Sequence, residues 1–134
     1  MVKKKINKTK LKDRMDIVWA KIIKYRAGWV CEITGKDTAE CQLQSHHIVG
    51  KGCTYLRWDL RNGISLWSQR HRLGNPSAHN NPIWFVEKLK AIRLEDYEYL
   101  KPLESKLMSS IPLEWYLEKY EWLKTELKKY DKAI

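Results

Sequence analysis

Apolar residues recur at three- and four-residue steps over Met15, Val18, Trp19, Ile22, Tyr25 and Trp29. That spacing puts them on one face of a helix, which Gly28 stops. The centre of the chain follows another pattern. Thr34-Gly35-Lys36-Asp37 is a turn cluster, and Cys41-Gln42-Leu43-Gln44-Ser45 alternates as a strand does. It leads into His46-His47-Ile48-Val49 and then the break Gly50-Lys51-Gly52. Asp59-Leu60-Arg61-Asn62-Gly63 forms a second turn, and Ile64-Ser65-Leu66-Trp67 suits a short returning strand. A polar helix or loop follows from Ser68, interrupted at Gly74-Asn75-Pro76.

Helical periodicity returns at Asn81-Pro82, where Asn supplies a cap and Pro suits the first helical position. This helix carries Ile83, Phe85, Val86, Leu89 and Ile92 on one side and ends before Pro102. A last helix runs from near Pro112 to about Tyr130, with Leu113, Tyr116, Leu117, Tyr120, Leu123 and Leu127 as its apolar stripe. Glu121 with Lys124 and Glu126 with Lys129 stand one turn apart, as on a wet face. The expected architecture is α+β and mostly helical: a short hairpin embedded in flanking helices. Residues 15–134 read as one domain with a C-terminal helical extension from about residue 82, and residues 1–14 as a flexible basic arm.

Charge sharpens this division. Lys and Arg number 26 against 16 Asp and Glu, a formal net charge of +10. Residues 1–14 carry +6 of it, residues 15–80 carry +4, and residues 81–134 are neutral. The balance points to a phosphate-rich partner, and the neutral C-terminal helices read as scaffold. No apolar run approaches the roughly 18 residues of a membrane span, so no membrane partner is expected. No apolar run follows the basic N-terminus either, which argues against a secretory signal. Three cysteines, Cys31, Cys41 and Cys53, do not make a disulfide framework and suit a reducing compartment.

The candidate chemistry lies in four histidines, His46, His47, His71 and His79, all in the polar, turn-rich centre. Neutral imidazole is both a metal ligand and a general base suited to neutral pH. Neighbours on a regular strand point to opposite faces, so His46 and His47 can share a site only if the strand ends there. The Gly50-Lys51-Gly52 break offers such an end. One ring could then bind a metal while the other removes a proton from water. Asn62-Gly63 is in its own right a common hairpin-turn signal.

His46-His47-Ile48, Arg57-Trp58-Asp59, Arg61-Asn62-Gly63 and His71 together resemble the HNH endonuclease motif, in the form found in phage and mobile-element proteins. The resemblance spans about Cys31 to Phe85. It implies a ββα-metal fold, a β-hairpin and a following element gripping one divalent ion. By that resemblance His46 and His71 are metal ligands and His79 a third, although its eight-residue step from His71 is no simple helical spacing. His47 is similar to the general base, and Asn62 to the residue that braces the loop holding it. The implied activity is metal-dependent hydrolysis of DNA phosphodiesters to 5′-phosphate and 3′-hydroxyl ends. The implied cofactor is one divalent ion, with Mn, Ni, Zn or Mg left open. Lys51, Arg57, Arg61, Arg70 and Arg72 are the candidates for phosphate contacts, with the N-terminal lysines for non-specific grip. Trp58 suits either stacking on DNA or the core. The resemblance further implies a bacterial host cytoplasm and other phage DNA-processing proteins as partners.

The chain departs from the family where many relatives bind a structural zinc through two Cys-x-x-Cys knuckles. Cys31 is followed three residues later by Thr34, and the second knuckle's positions resemble Trp67 and Arg70. No structural zinc is expected. Packing by Trp29, Trp67 and the C-terminal helices takes its place, and the three cysteines read as small buried apolar residues. Two other readings fit the same residues. One is a non-catalytic DNA-binding or assembly protein on this fold. The other is a structural zinc protein held by His46, His71 and a cysteine.

Overall fold

The first helix begins well before the stripe that starts at Met15. In the computed structural model, which describes residues 6–131, helix α1 spans Lys8–Arg26. Asn7 caps it, its side-chain oxygen accepting from the Lys10 N–H at 3.1 Å. Leu11, one turn before Met15, is buried in the same cluster as Tyr116 and Leu123. Lys8 and Lys12 lie over the Tyr116 ring at 5.3 and 5.4 Å. Residues 8–14 are therefore not part of a flexible arm. A cap, an apolar anchor and cation–π contacts hold them as the first turns of α1. Residues 1–5 of the expected arm lie outside the described residues.

The hairpin pairs β1 (Leu43–His47) with β2 (Gly63–Trp67) in antiparallel register, Leu43 opposite Trp67 and His47 opposite Gly63. β1 thus starts two residues later than the alternation from Cys41 suggests, and it runs through both histidines. Asn62-Gly63 does not make a two-residue turn. The strands are joined by residues 48–62, which hold a short helix α2 (Thr54–Arg57) and a 3-10 turn (Leu60–Asn62). Asn62 is fully buried. Its side chain accepts from Val49 N–H at 2.6 Å and donates to the carbonyls of Val49 and Leu56 at 2.9 and 3.0 Å. One buried amide thereby ties the start and the middle of the connection together.

A two-stranded hairpin is marginal on its own and needs partners on its faces. α1 covers one face. Trp19, Ile22 and Ile23 are buried, and the Ser45 hydroxyl donates to the Ala20 carbonyl at 2.6 Å. Helix α3 (Pro82–Leu100) covers the other, with Phe85 and Leu89 against Ile64 and Leu66. Its apolar face is narrower than the sequence suggests. Ile83 is 79% exposed, on the side of the helix away from Phe85 and Leu89, and Ile92, next to the bend at Arg93, is 46% exposed. Helix α4 (Leu113–Asp131) packs on α1 through Tyr116 and Leu123, flanked by Leu113, Leu117, Tyr120 and Leu127. Trp58 is wholly buried in this cluster and so belongs to the core. The result is an α+β fold, mostly helical, with a ββ hairpin at its centre.

The segment around Cys31 and Trp67 is held without paired cysteines. Cys31 is buried, its Sγ accepting from Thr34 N–H at 3.4 Å, and Trp67 lies between Lys36 and Arg70 at 4.7 and 5.7 Å. Cys53 is buried too, but Cys41 is partly exposed because its turn places it at the edge, its thiol donating to the Asp37 carbonyl. No paired-cysteine knuckle occurs among the described residues. None of the helices described is long and apolar enough to cross a membrane.

Gly63 is the tightest point of contact between α1 and the sheet. A Cβ there would clash with Ile23 Cδ1 and lie 2.7 Å from Trp19 Cζ2. Gly63→Ala should therefore destabilise the fold by about 1–3 kcal/mol through overpacking. Urea denaturation checks this; an unchanged midpoint would mean that α1 does not sit against β2 as described.

Candidate metal centre

Strand geometry sorts the central residues. Gln44 and His46 lie on one face of β1 and His47 on the other. After β2 the chain makes a single π-helical turn, Gln69–Leu73, closed by the Gly74 N–H donating to the Gln69 carbonyl at 2.9 Å. This turn is the polar helical segment expected from Ser68, interrupted at Gly74 as expected, and it carries His71. Residues 74–81 then fold back along it. Ala78 N–H donates to Arg70 C=O at 2.8 Å, and His79 N–H to His71 C=O at 3.0 Å. Asn80 Nδ2 adds bonds to the carbonyls of Arg72 and Gly74, each 3.0 Å. This return loop brings His79 beside His71, which no helical spacing would do.

His46, His71 and His79 form a cluster whose donor nitrogens lie within 4.8 Å of one another. The His71 and His79 rings are 4.7 Å apart, and both are about 5 Å from His46 (4.9 and 5.0 Å). Phe85 backs His46 edge-on at 5.1 Å. The amide oxygen of Gln44 accepts from His71 Nδ1 at 2.7 Å, which places the proton on Nδ1 and leaves Nε2 for the cluster. That Nε2 sits 3.0 Å from His79 Nε2.

Burial holds these rings neutral. It pushes His46 down to about 3, with the neighbouring His71 and His79 adding to the effect. His71 falls to about 4 through burial, then His79 and Arg72. His79, the exposed member, is lowered for the same reasons. Three neutral imidazoles with converging nitrogens, one oriented by an amide, fit a divalent ion and leave positions open for other ligands.

His47 has different surroundings. Its ring stacks on Trp19 at 3.8 Å and 8°. Its Nε2 lies 2.9 Å from the Arg57 carbonyl, which can only accept, so Nε2 carries the proton and Nδ1 the lone pair. Trp19 is itself fixed by donation from Nε1 to the Asp59 carbonyl at 3.0 Å. The Arg57 guanidinium forms two hydrogen bonds to Asp16, 2.7 and 3.1 Å, and Trp58 Nε1 donates to the same carboxylate at 2.9 Å. Burial raises the Asp16 carboxyl, but the bonds and charge of Arg57, with Lys51 and Trp58, more than offset it and leave it below its usual range. Burial also pushes His47 down to about 4, opposed by its bond to Arg57.

The strand does not end at the histidine pair, and the two rings diverge as the pleat requires. Both nonetheless border one cavity of about 270 Å³, together with His71, His79, Lys51 and Arg72. Of the expected phosphate-contacting residues, Lys51 and Arg72 are there, Lys51 exposed and also 3.5 Å from Asp16. Arg57 is spent on Asp16. Arg61 pairs with Asp96 at 2.9 Å and lies over Tyr99 at 4.0 Å. Arg70 donates to the Pro76 carbonyl beside Trp67. These three brace the fold and do not line the cavity. Asn62 holds the connection after β1, its side-chain hydrogen bonds going to Val49 and Leu56.

Four supporting residues, Gln44, Trp19, Asp16 and Phe85, were not singled out by the sequence. Gln44 was within reach of it, since it stands two positions before His46 on the same strand face. Trp19 and Phe85 read only as apolar stripe positions and no local signal marks Asp16; all three sit on helices outside the hairpin.

No family model, curated protein or solved structure matches this chain. Fold and site themselves define an α+β protein with a ββα-type arrangement: a hairpin and following turn that converge three histidines suited to a divalent ion.

Two expectations follow from this geometry. Unfolded histidines titrate near 6.5, whereas His46, His47 and His71 stay neutral to about 3–4 in the folded chain. The unfolded state therefore binds more protons between these values. Stability present above pH 6.5 is lost as pH falls towards 4, by up to about 1.4 kcal/mol per pH unit for the nearly buried His46. Denaturant midpoints of metal-free protein from pH 7 to 4 check this, a flat profile being the contrary result. Secondly, titration calorimetry with zinc or nickel should give one ion per chain. Gln44→Ala should weaken binding about 10–100-fold by releasing His71.

Proposed function

We propose that this chain is a metal-dependent endonuclease of the HNH type, hydrolysing DNA phosphodiesters to 5′-phosphate and 3′-hydroxyl ends. One observation carries the reading. His47, held by Trp19 and the Arg57 carbonyl, opens on the same cavity as the three-histidine cluster. A metal site that served the fold alone would have no use for a fourth imidazole kept off the cluster and fixed in one tautomer.

The roles divide by environment. Lys51 and Arg72 supply positive charge for a phosphodiester in the cavity. A divalent ion held by His46, His71 and His79 would stabilise charge on the phosphoryl and departing 3′ oxygens. His47 Nδ1 takes the proton from the attacking water. Its depressed pKa keeps it unprotonated at neutral pH, and an anionic phosphodiester nearby raises its basicity by stabilising the imidazolium. Trp19 limits the ring to one plane, and the Arg57 carbonyl holds the Nε2 proton as Nδ1 becomes charged.

His47→Ala should reduce cleavage of plasmid and linear DNA about 10²–10⁴-fold while leaving DNA affinity within about twofold. The assay is run with manganese, nickel, zinc and magnesium in turn. Cleavage unaffected by the substitution would remove His47 from the chemistry. Absence of cleavage with every ion, with DNA binding retained, would favour a binding or assembly protein on this fold.

A further inference from the structure

Beside the histidine cavity lies a second one of about 430 Å³, and the two share His46, His47, Gly50 and His79. Phosphodiester hydrolysis as described makes no use of this space. Its far wall is apolar, built by Phe85, Val86 and Leu89 from the first half of α3 and by Tyr97 and Leu100 from the second. Between these halves α3 bends. α3 does so because Arg93 leaves helical dihedrals, at φ −145° and ψ 53°. The cause is the side chain, whose guanidinium turns to the carbonyls of Gly63 and Arg61 and to Asp96. The mouth is polar, with exposed Lys101 and Glu104.

We propose that this cavity is a nucleobase pocket, taking one unstacked base adjacent to the phosphodiester held at the histidines. Its substrate class is then DNA with an unpaired or extruded nucleotide at the cleavage position. The phosphate's location rests on the nuclease reading; the pocket rests on its own shape and chemistry. A nucleotide joins a charged phosphate to a flat apolar ring, and the two connected cavities offer that pair of environments in that order. The volume falls in the usual range for small-ligand sites, about 300–1,000 Å³. Lys101 supplies N–H donors and Glu104 carboxylate acceptors, the kinds of group needed to read a base edge. A paired base cannot enter without leaving its stack. Ile83, 79% exposed, borders a shallow depression that shares Pro82 and Val86 with the pocket, and provides an apolar group for the vacated stacking place.

The test uses the full chain with chelator present, so that no cleavage is required. Fluorescence anisotropy compares three duplexes: fully paired, with one unpaired nucleotide, and with an abasic site at that nucleotide. The unpaired base should bind at least about fivefold more tightly than either of the others. Val86→Trp fills the pocket and should remove the difference while leaving the fully paired affinity unchanged. Glu104→Trp, at the exposed mouth, serves the same purpose if the first variant does not fold. Equal affinity for the three duplexes, or discrimination that survives the filled pocket, overturns the proposal. Cleavage of fully paired DNA without discrimination sinks the pocket alone. Discrimination without cleavage under any ion sinks the nuclease reading and keeps the pocket.

Discussion

Adjacent residues on a pleated strand point to opposite faces, and this constraint governs how the molecule is built. β1 carries His46 and His47 in succession, so each ring needs its own wall. On one side the wall is Phe85 of α3 together with His71 and His79; on the other it is Trp19 of α1. Neither α1 nor α3 belongs to the hairpin. They have to be where they are, because five-residue strands cannot bury two imidazoles unaided. Gly63, opposite His47, is the place where a missing Cβ lets α1 come close enough for Trp19 to stack.

Burial then sets the electrostatics. The same apolar walls that position the rings keep them uncharged, and uncharged imidazoles are the form that binds a metal or accepts a proton. Cations near the cavity reinforce this, Arg72 lowering His71 and His79 further. Asp16 does the opposite work on the His47 side. It neutralises Arg57, whose carbonyl is then presented to His47 from a backbone held in place by two hydrogen bonds and by Trp58. The three-histidine cluster and His47 thus stand side by side, Arg72 acting on the cluster and Asp16, Lys51 and Arg57 on His47.

Much of the architecture was legible in the sequence because it rests on periodicity. The returning strand, α3 and α4 fall within a residue or two of the spacing that announced them. The start of α1 was obscured by composition: six lysines in twelve residues read as a solvated arm, while a single leucine, Leu11, carried the packing information. The histidine cluster was legible as a set of residue types, but its assembly was not. His79 reaches His71 through a return loop held by backbone hydrogen bonds, and these leave no pattern in side-chain order. Trp19 looked like any core position on α1. Its stacking on His47 depends on the height at which the helix crosses the sheet, which hydrophobic spacing does not encode.

Formal charge was the least informative part of the sequence about the surface, and the reason is physical. A guanidinium offers five donors, and backbone carbonyls at irregular turns need partners. Arg26 and Arg93 both donate to the Gly63 carbonyl, Arg61 and Arg93 share Asp96, and Arg70 satisfies Pro76. Around Trp67, Lys36 and Arg70 lie at 4.7 and 5.7 Å from the ring and hold that edge of the hairpin by cation–π contacts. A small domain without a knuckle uses its basic residues internally. Lys51 and Arg72 instead border the histidine cavity, Lys51 also standing 3.5 Å from Asp16, and charges beside a desolvated cluster act more strongly than the same charges in water.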